Sequence, residues 1–179
     1  MTRRRLFVAL VVVHALVLLG WGATLERARA RAAHVLLEVL PVDPRDLVRG
    51  DYITLGYAIA GLTDTPFVGR RPDWNDVGYP VYVALASKGD VHVVVAASLE
   101  RSALPLDGGR RLIVGRLMYA PQLGRASGAP LRVQYGVERY YVPEGKGNPP
   151  PGRREAEVAI TDDGRAFLER LFVDGKPYP

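Results

Sequence analysis

The chain has 179 residues, a formal net charge of +5 and no cysteine. This length accommodates one domain and an N-terminal extension, and without cysteine there are no disulfides, thiol nucleophiles or Cys-based zinc sites. The positive charges are almost all arginines, and beyond the N-terminus they alternate with acidic residues without forming a basic block with interleaved aromatics. We therefore expect no nucleic-acid binding.

The N-terminus is typical of a membrane anchor. Arg3, Arg4 and Arg5 precede Leu6–Leu25, an uncharged run of twenty residues. Twenty helical residues rise about 30 Å, which matches the thickness of a bilayer core. Because clustered arginines stay on the cytoplasmic side, the sequence predicts a single-pass protein of the cytoplasmic (inner) membrane. Its C-terminal domain is expected on the periplasmic or extracellular side.

A cleaved signal peptide is the alternative interpretation of the same segment. Ala28, Arg29 and Ala30 form a candidate cleavage site, but the apolar region of a signal peptide spans only about 7–15 residues. The longer run here favours an uncleaved signal anchor. We assign residues 1–33 to the basic start, the membrane span and its helical extension, and residues 34–179 to one β-rich domain.

Beyond the anchor, the pattern of apolar residues is that of short strands separated by turns. Lys88-Gly89-Asp90 and Asp162-Asp163-Gly164 are hairpin turns. About nine strands at short intervals predict a mainly β domain, either β-barrel-like or a β-sandwich. The predicted strands are Val35–Leu40, Gly50–Ile59, Val81–Ser87, Val91–Ala97, Arg111–Tyr119, Leu131–Tyr135, Val137–Val142, Glu155–Thr161 and Arg165–Val173.

Two segments rich in glycine and proline are predicted to be surface loops. The first covers residues 60–78, where Trp74 is expected to pack the loop onto the domain because it is the largest apolar residue there. The second covers residues 143–152 and is expected to be exposed and mobile.

The strand that begins at Gly50 is expected to divide its side chains between two faces. Leu55 and Tyr57 belong to one face and Tyr52 to the other, since side chains alternate along a strand. We therefore expect one of these tyrosines in the core and the other free for a partner. Gly50 suits a turn with positive φ.

Two motifs give the chain a family resemblance. The octapeptide Gly50–Tyr57 fits the pattern G-D-Y-x-x-L-x-Y, and a second segment, Gln134–Gly147, reads Q-Y-G-V-E-R-Y-Y-V-P-E-G-K-G. In both, the chain resembles the GDYXXLXY family of bacterial membrane-anchored proteins. The resemblance implies an N-terminal anchor, an extracytoplasmic domain and frequent association with genes for multi-pass membrane proteins of unknown function, and it brings no established activity with it.

The sequence favours an accessory or interaction module that partners a multi-pass membrane protein. It contains no nucleophile–base pair and no histidine spacing suited to a metal, so we expect no cofactor, no metal site and no catalytic residues. The candidate contact residues come from the two motifs and are Arg49, Gly50, Asp51, Tyr52, Leu55, Tyr57, Glu138, Tyr140, Tyr141, Glu144 and Lys146.

The alternative function is a small-ligand-binding or hydrolytic β-domain. Asp51 and Glu138 would then supply its polar groups, provided that the fold brings them together. Each of these carboxylates could equally anchor a turn by accepting backbone N–H groups. The sequence leaves the question of enzymatic activity open and favours a protein without it.

Overall fold

A computed structural model of the chain describes residues 3–41, 52–122, 130–142 and 149–178. As predicted, the protein is mainly β with one apolar N-terminal helix, and one of its sheets forms a half-barrel. The chain divides into two units, Met1–Ala32 and Ala33–Pro179.

The first unit contains a single helix, α1, which covers Arg3–Ala30. All of its residues are exposed. An exposed helix whose central part is apolar on all sides fits a bilayer. The helix is long and apolar enough to cross a membrane. Arg27 and Arg29 lie in its last turn, where positive charge offsets the negative end of the helix dipole.

The second unit contains eleven described strands in three antiparallel sheets. The largest has the strand order β11-β10-β9-β1-β3, the second β5-β4-β6-β7, and β2 pairs with β8 alone. The strands are β1 Ala33–Leu40, β2 Tyr52–Thr54, β3 Gly56–Tyr57, β4 Pro80–Lys88, β5 Val91–Ser98, β6 Arg111–Tyr119, β7 Arg132–Gln134, β8 Arg139–Tyr141, β9 Arg154–Ile160, β10 Ala166–Val173 and β11 Lys176–Tyr178.

One hydrophobic core joins the two larger sheets. Val35 and Leu37 of β1 belong to the same buried cluster as Val83 of β4 and Ile113 of β6. In β1 alternate residues are buried, as the period of a strand requires, whereas β4 and β6 also bury residues of their other face. Burying a side chain of this size stabilises the fold by about 1.5–3 kcal/mol, so this shared core holds the sheets together.

Both predicted hairpins are present. β4 pairs with β5 around Gly89, and β9 pairs with β10 around Gly164. The two glycines have φ angles of +64° and +88°, a region that other residues adopt only with strain. The short-range turn signals in the sequence therefore determine these two connections.

The prediction of one continuous strand over Gly50–Ile59 is wrong. This segment divides at Leu55 into β2 and β3, and a 3₁₀ turn follows at Ala58–Ala60. The reason is that the two halves have different partners, since β2 pairs with β8 and β3 pairs with β1. The predicted alternation nevertheless holds, because Leu55 and Tyr57 are buried while Tyr52 is only half-buried.

The loop over residues 60–78 also differs from its prediction. Trp74 is 55% exposed and does not pack the loop onto the domain. Leu62 does this, fully buried, with its N–H donating to the Leu131 carbonyl at 3.0 Å. Arg70 and Asp76 clamp the other end of the loop through two hydrogen bonds of 2.5 and 2.6 Å. A buried leucine is a less conspicuous sequence signal than a tryptophan.

The second predicted loop, residues 143–152, lies mostly outside the described residues. Pro149, at its described end, is buried, so the expectation of a wholly exposed segment is wrong at this position. The Arg154 guanidinium donates to the carbonyl oxygens of Pro149 and Pro150, each at 3.3 Å. These contacts hold that end of the segment beside β9.

We predict that Gly115→Ala destabilises the domain by about 1–3 kcal/mol, the usual cost of overpacking a core. A Cβ on Gly115 of β6 would overlap the Val133 side chain and lie 2.9 Å from the Gln134 carbonyl oxygen. Urea denaturation of the full chain in detergent measures the change. Gly61→Ala is the control, because a Cβ there meets nothing within 4 Å. Equal stability of the two variants would contradict the tight β6–β7 packing.

Candidate functional site

The two sequence motifs lie against each other in space. β2, from the first motif, and β8, from the second, form an antiparallel ladder in which Tyr52 is opposite Tyr141 and Thr54 is opposite Arg139. The ladder ends where the Leu55 N–H donates to the Glu138 carbonyl at 2.7 Å. Segments far apart in the chain therefore form one surface.

Two buried tyrosines lock the motifs together beneath this ladder. The Tyr57 hydroxyl donates to the Val137 carbonyl at 2.8 Å, and the Tyr135 hydroxyl donates to the Ile59 carbonyl at 2.7 Å. Each motif segment thus provides one donor to the other and receives one in return. Burial raises the pKa of both hydroxyls, and the nearby Glu138 charge adds to the effect. Both groups therefore stay protonated and act as donors.

The Glu138 side chain holds a turn. Its carboxylate oxygens accept the backbone N–H groups of Tyr135 at 2.5 Å and Gly136 at 2.9 Å. Gly136 has a φ of +83°, which places the bend between β7 and β8 at a residue that adopts this conformation easily. Of the two roles considered for this acid, the structure shows the turn-anchoring one.

The outer side of the ladder presents an aromatic patch, which we define as Tyr52, Arg139 and Tyr141. The two tyrosine rings lie 6.0 Å apart at an angle of 57°, a tilted arrangement typical of interacting aromatic pairs. The Arg139 guanidinium carbon lies 5.3 Å from the centre of the Tyr52 ring, within range of a cation–π interaction. Tyr141 is 71% exposed, so the patch offers an exposed aromatic ring on this side of the ladder.

Tyr140 points to the opposite side of β8. It packs against the core, and its hydroxyl donates to the Tyr178 carbonyl at 2.8 Å. Its ring lies 6.5 Å from that of Tyr178, and burial raises the pKa of its hydroxyl. The adjacent tyrosines 140 and 141 therefore differ in role, since one fixes the C-terminal strand and the other faces outward.

A cleft of about 860 Å³ borders the aromatic patch. It runs between the outer faces of β6 and β7 and the start of β8. Its polar lining comes from both motif and non-motif residues, namely Arg116, Gln134, Glu138, Arg139 and Tyr141. Within the described parts of the chain, no group of three His, Asp or Glu residues is arranged to hold a metal ion.

The predicted site residues fall into three sets. Tyr52 and Tyr141 lie on the surface, whereas Leu55, Tyr57, Glu138 and Tyr140 contact or support the core. The remaining candidates lie outside the described residues, and these are Arg49, Gly50, Asp51, Glu144 and Lys146. The pairing of Asp51 with Glu138 therefore stays a prediction.

Sequence reasoning missed three residues that the structure places here. Tyr135 was part of the second motif, but nothing in the sequence indicates that its hydroxyl reaches the carbonyl of Ile59. Arg139 and Arg116 were ordinary arginines in an arginine-rich chain. Their alternation with buried neighbours indicates outward-facing positions, although it does not show that both line one cleft.

One family model matches most of the chain. The model described as GDYXXLXY protein matches residues 14–171. This range includes most of the apolar helix, both motifs and all but the end of the β-domain. Comparisons with curated proteins and with solved structures gave no match. The chain therefore belongs to the GDYXXLXY family.

We predict that Tyr57→Phe and Tyr135→Phe each lower the free energy of unfolding by about 1–3 kcal/mol. Each change removes the hydroxyl donor from a buried carbonyl, and an unsatisfied buried group carries a cost of this size. Urea denaturation of the full chain in detergent measures it. Tyr141→Phe is the matched control and should change stability by less than about 0.5 kcal/mol, because Tyr141 is exposed. Losses no larger than the control's would contradict the proposed lock between the motifs.

Proposed function

We propose that this member of the GDYXXLXY family is a membrane-anchored accessory subunit whose extracytoplasmic β-domain docks on a multi-pass membrane protein. Two features support the anchor. The helix α1 has the length and hydropathy of a membrane span, and Arg3, Arg4 and Arg5 precede its apolar run. Positive charges of this kind are retained in the cytoplasm, which favours an outward-facing domain.

The aromatic patch carries the docking proposal. Tyr141 is 71% exposed and is held in place by a strand ladder and by the Tyr52 ring, which in turn lies against Arg139. Tyrosine and arginine are enriched among the residues that dominate binding energy at protein interfaces. A rigid aromatic surface also loses little conformational entropy when it binds.

The membrane nature of the partner is supported by the anchor. A single-pass chain is confined to its bilayer, so its most frequent encounters are with other proteins of that bilayer. The association with genes for multi-pass membrane proteins that the family resemblance implies agrees with this expectation. Two residues, Arg31 and Ala32, separate the end of α1 from the start of β1, so the linker to the domain is short.

The alternative, a hydrolytic domain that uses Asp51 and Glu138, has less support. Both oxygens of Glu138 already accept backbone N–H groups, and a carboxylate used in this way is poorly placed to move a proton at a substrate. The geometry therefore favours an interaction module over an enzyme.

We predict that the tagged full-length chain, extracted from its native membrane in mild detergent, recovers a multi-pass protein in stoichiometric amount. Tyr52→Ala and Tyr141→Ala should each reduce the recovery at least about fivefold, since interface anchors of this type contribute about 1 kcal/mol or more. Mass spectrometry of the recovered material measures this.

Tyr119→Ala is the matched control for that experiment. Tyr119 is 50% exposed at the end of β6 and lies outside the aromatic patch, so its removal should leave recovery unchanged. Thermal unfolding of each variant shows whether the domain is still folded. A parent chain that is recovered alone, or patch variants that are folded and retain the partner, would contradict the proposal.

A further inference from the structure

We propose that the cleft beside the aromatic patch is a binding site for an oxyanion, meaning a phosphate or carboxylate group carried by a small molecule or by a lipid headgroup. The cleft overlaps the docking patch, because Arg139 and Tyr141 belong to both. Its principal residue, Arg116, is not part of that patch, and Tyr52 does not line the cleft.

The cleft contains two arginines that have no acidic partner among the described residues. Arg116 projects from β6 and Arg139 from β8, and both line the cleft with exposed side chains. Elsewhere in the described domain, an arginine that faces an acidic side chain forms an ion pair with it. These arginines are Arg70, Arg110, Arg153, Arg165 and Arg170.

The one carboxylate in the described lining, Glu138, offsets only part of this charge. Each of its two oxygens accepts a backbone N–H group, from Tyr135 or Gly136, so it is held within the domain and does not form an ion pair with either arginine. Two guanidinium groups against one internally bound carboxylate leave the cleft with an excess of positive charge. An oxyanion offsets that excess.

The donor chemistry also suits an oxyanion. A guanidinium group is planar, stays charged at any physiological pH and presents paired N–H donors that match two oxygens of a phosphate or carboxylate. Gln134 is exposed on β7 within the same lining and adds amide donors. Residues of three strands, β6, β7 and β8, therefore contribute side chains with N–H donors to the lining of one cleft.

The size and apolar walls of the cleft indicate what the oxyanion is attached to. Its volume is about 860 Å³, within the range of about 300–1,000 Å³ found for small-molecule sites. Pro80, Val114 and the Tyr141 ring also belong to the lining. The ligand class is thus an anionic molecule with an apolar or ring portion, rather than a bare inorganic ion, although the anionic group alone should be recognised.

The test uses the full-length chain in a non-ionic detergent with two probes. Inorganic phosphate is titrated calorimetrically, and phosphatidylglycerol is added to the micelles in a parallel titration. We expect saturable binding of at least one probe. Arg116→Gln and Arg139→Gln should each weaken it about tenfold or more, the loss expected for one charge-assisted hydrogen bond.

Arg111→Gln is the matched control, because it removes the same charge from the same strand at a position that does not line the cleft. It should alter affinity by no more than about twofold, as is usual for a surface substitution. Saturable binding of phosphate indicates that the oxyanion belongs to a soluble molecule. Binding of phosphatidylglycerol alone indicates that it belongs to a lipid headgroup. No saturable binding of either probe by the folded parent, or an equal loss in all three variants, would overturn the proposal.

Discussion

The structure depends on the need of buried hydroxyl groups for hydrogen-bond partners. Tyr57 and Tyr135 are both buried, and a buried hydroxyl without an acceptor would cost about 1–3 kcal/mol. Each finds its acceptor in the other's segment, at the carbonyls of Val137 and Ile59. The first motif cannot take its place in the core unless the second is also in place. The two motifs, distant in sequence, therefore fold as one unit.

This reciprocal arrangement explains how the motif residues divide between stability and surface. Leu55 and Tyr57 are buried, and Glu138 fixes the bend that carries the Tyr135 ring and the β8 strand. These three residues act within the domain, where they stabilise its fold. Tyr52 and Tyr141 are positioned by the same ladder but face outward. A motif with this composition identifies the fold well and indicates little chemistry, because most of its described residues act in folding and few are available to a partner.

Local signals allowed much of the fold to be predicted from the sequence. The apolar run from Leu6, the glycine turns of two hairpins and the alternation along strands such as β1 are short-range features, and the structure contains them. The division of the predicted strand at Leu55 depends on which distant strands pair with each half. The exposure of Trp74 likewise depends on Leu62 having taken the buried position. These outcomes are set by tertiary pairing, which a single sequence does not reveal.

The candidate site was only partly predictable for the same reason. Parity along a strand predicts Tyr52 and Tyr57 on opposite faces, and the structure agrees. The sequence predicts both Tyr140 and Tyr141 as contact residues, whereas only Tyr141 faces outward. Arg116 and Arg139 share a cleft only because β6, β7 and β8 are neighbours at that edge. The role of Glu138 became clear once its partners proved to be backbone N–H groups, whereas the position of Asp51 lies beyond the described residues.

The most direct test of the account is a disulfide between the two motifs. The chain has no native cysteine, so the double variant Thr54→Cys with Arg139→Cys introduces the only pair, at positions directly opposite in the ladder. Oxidation of the full chain should form an intramolecular disulfide, detected by mass spectrometry of the linked peptides. Thr54→Cys with Tyr141→Cys is shifted by two residues and should not form one, because its Cα atoms are too far apart for a disulfide. Linkage in the shifted pair, or none in the opposed pair, would contradict the union of the two motifs.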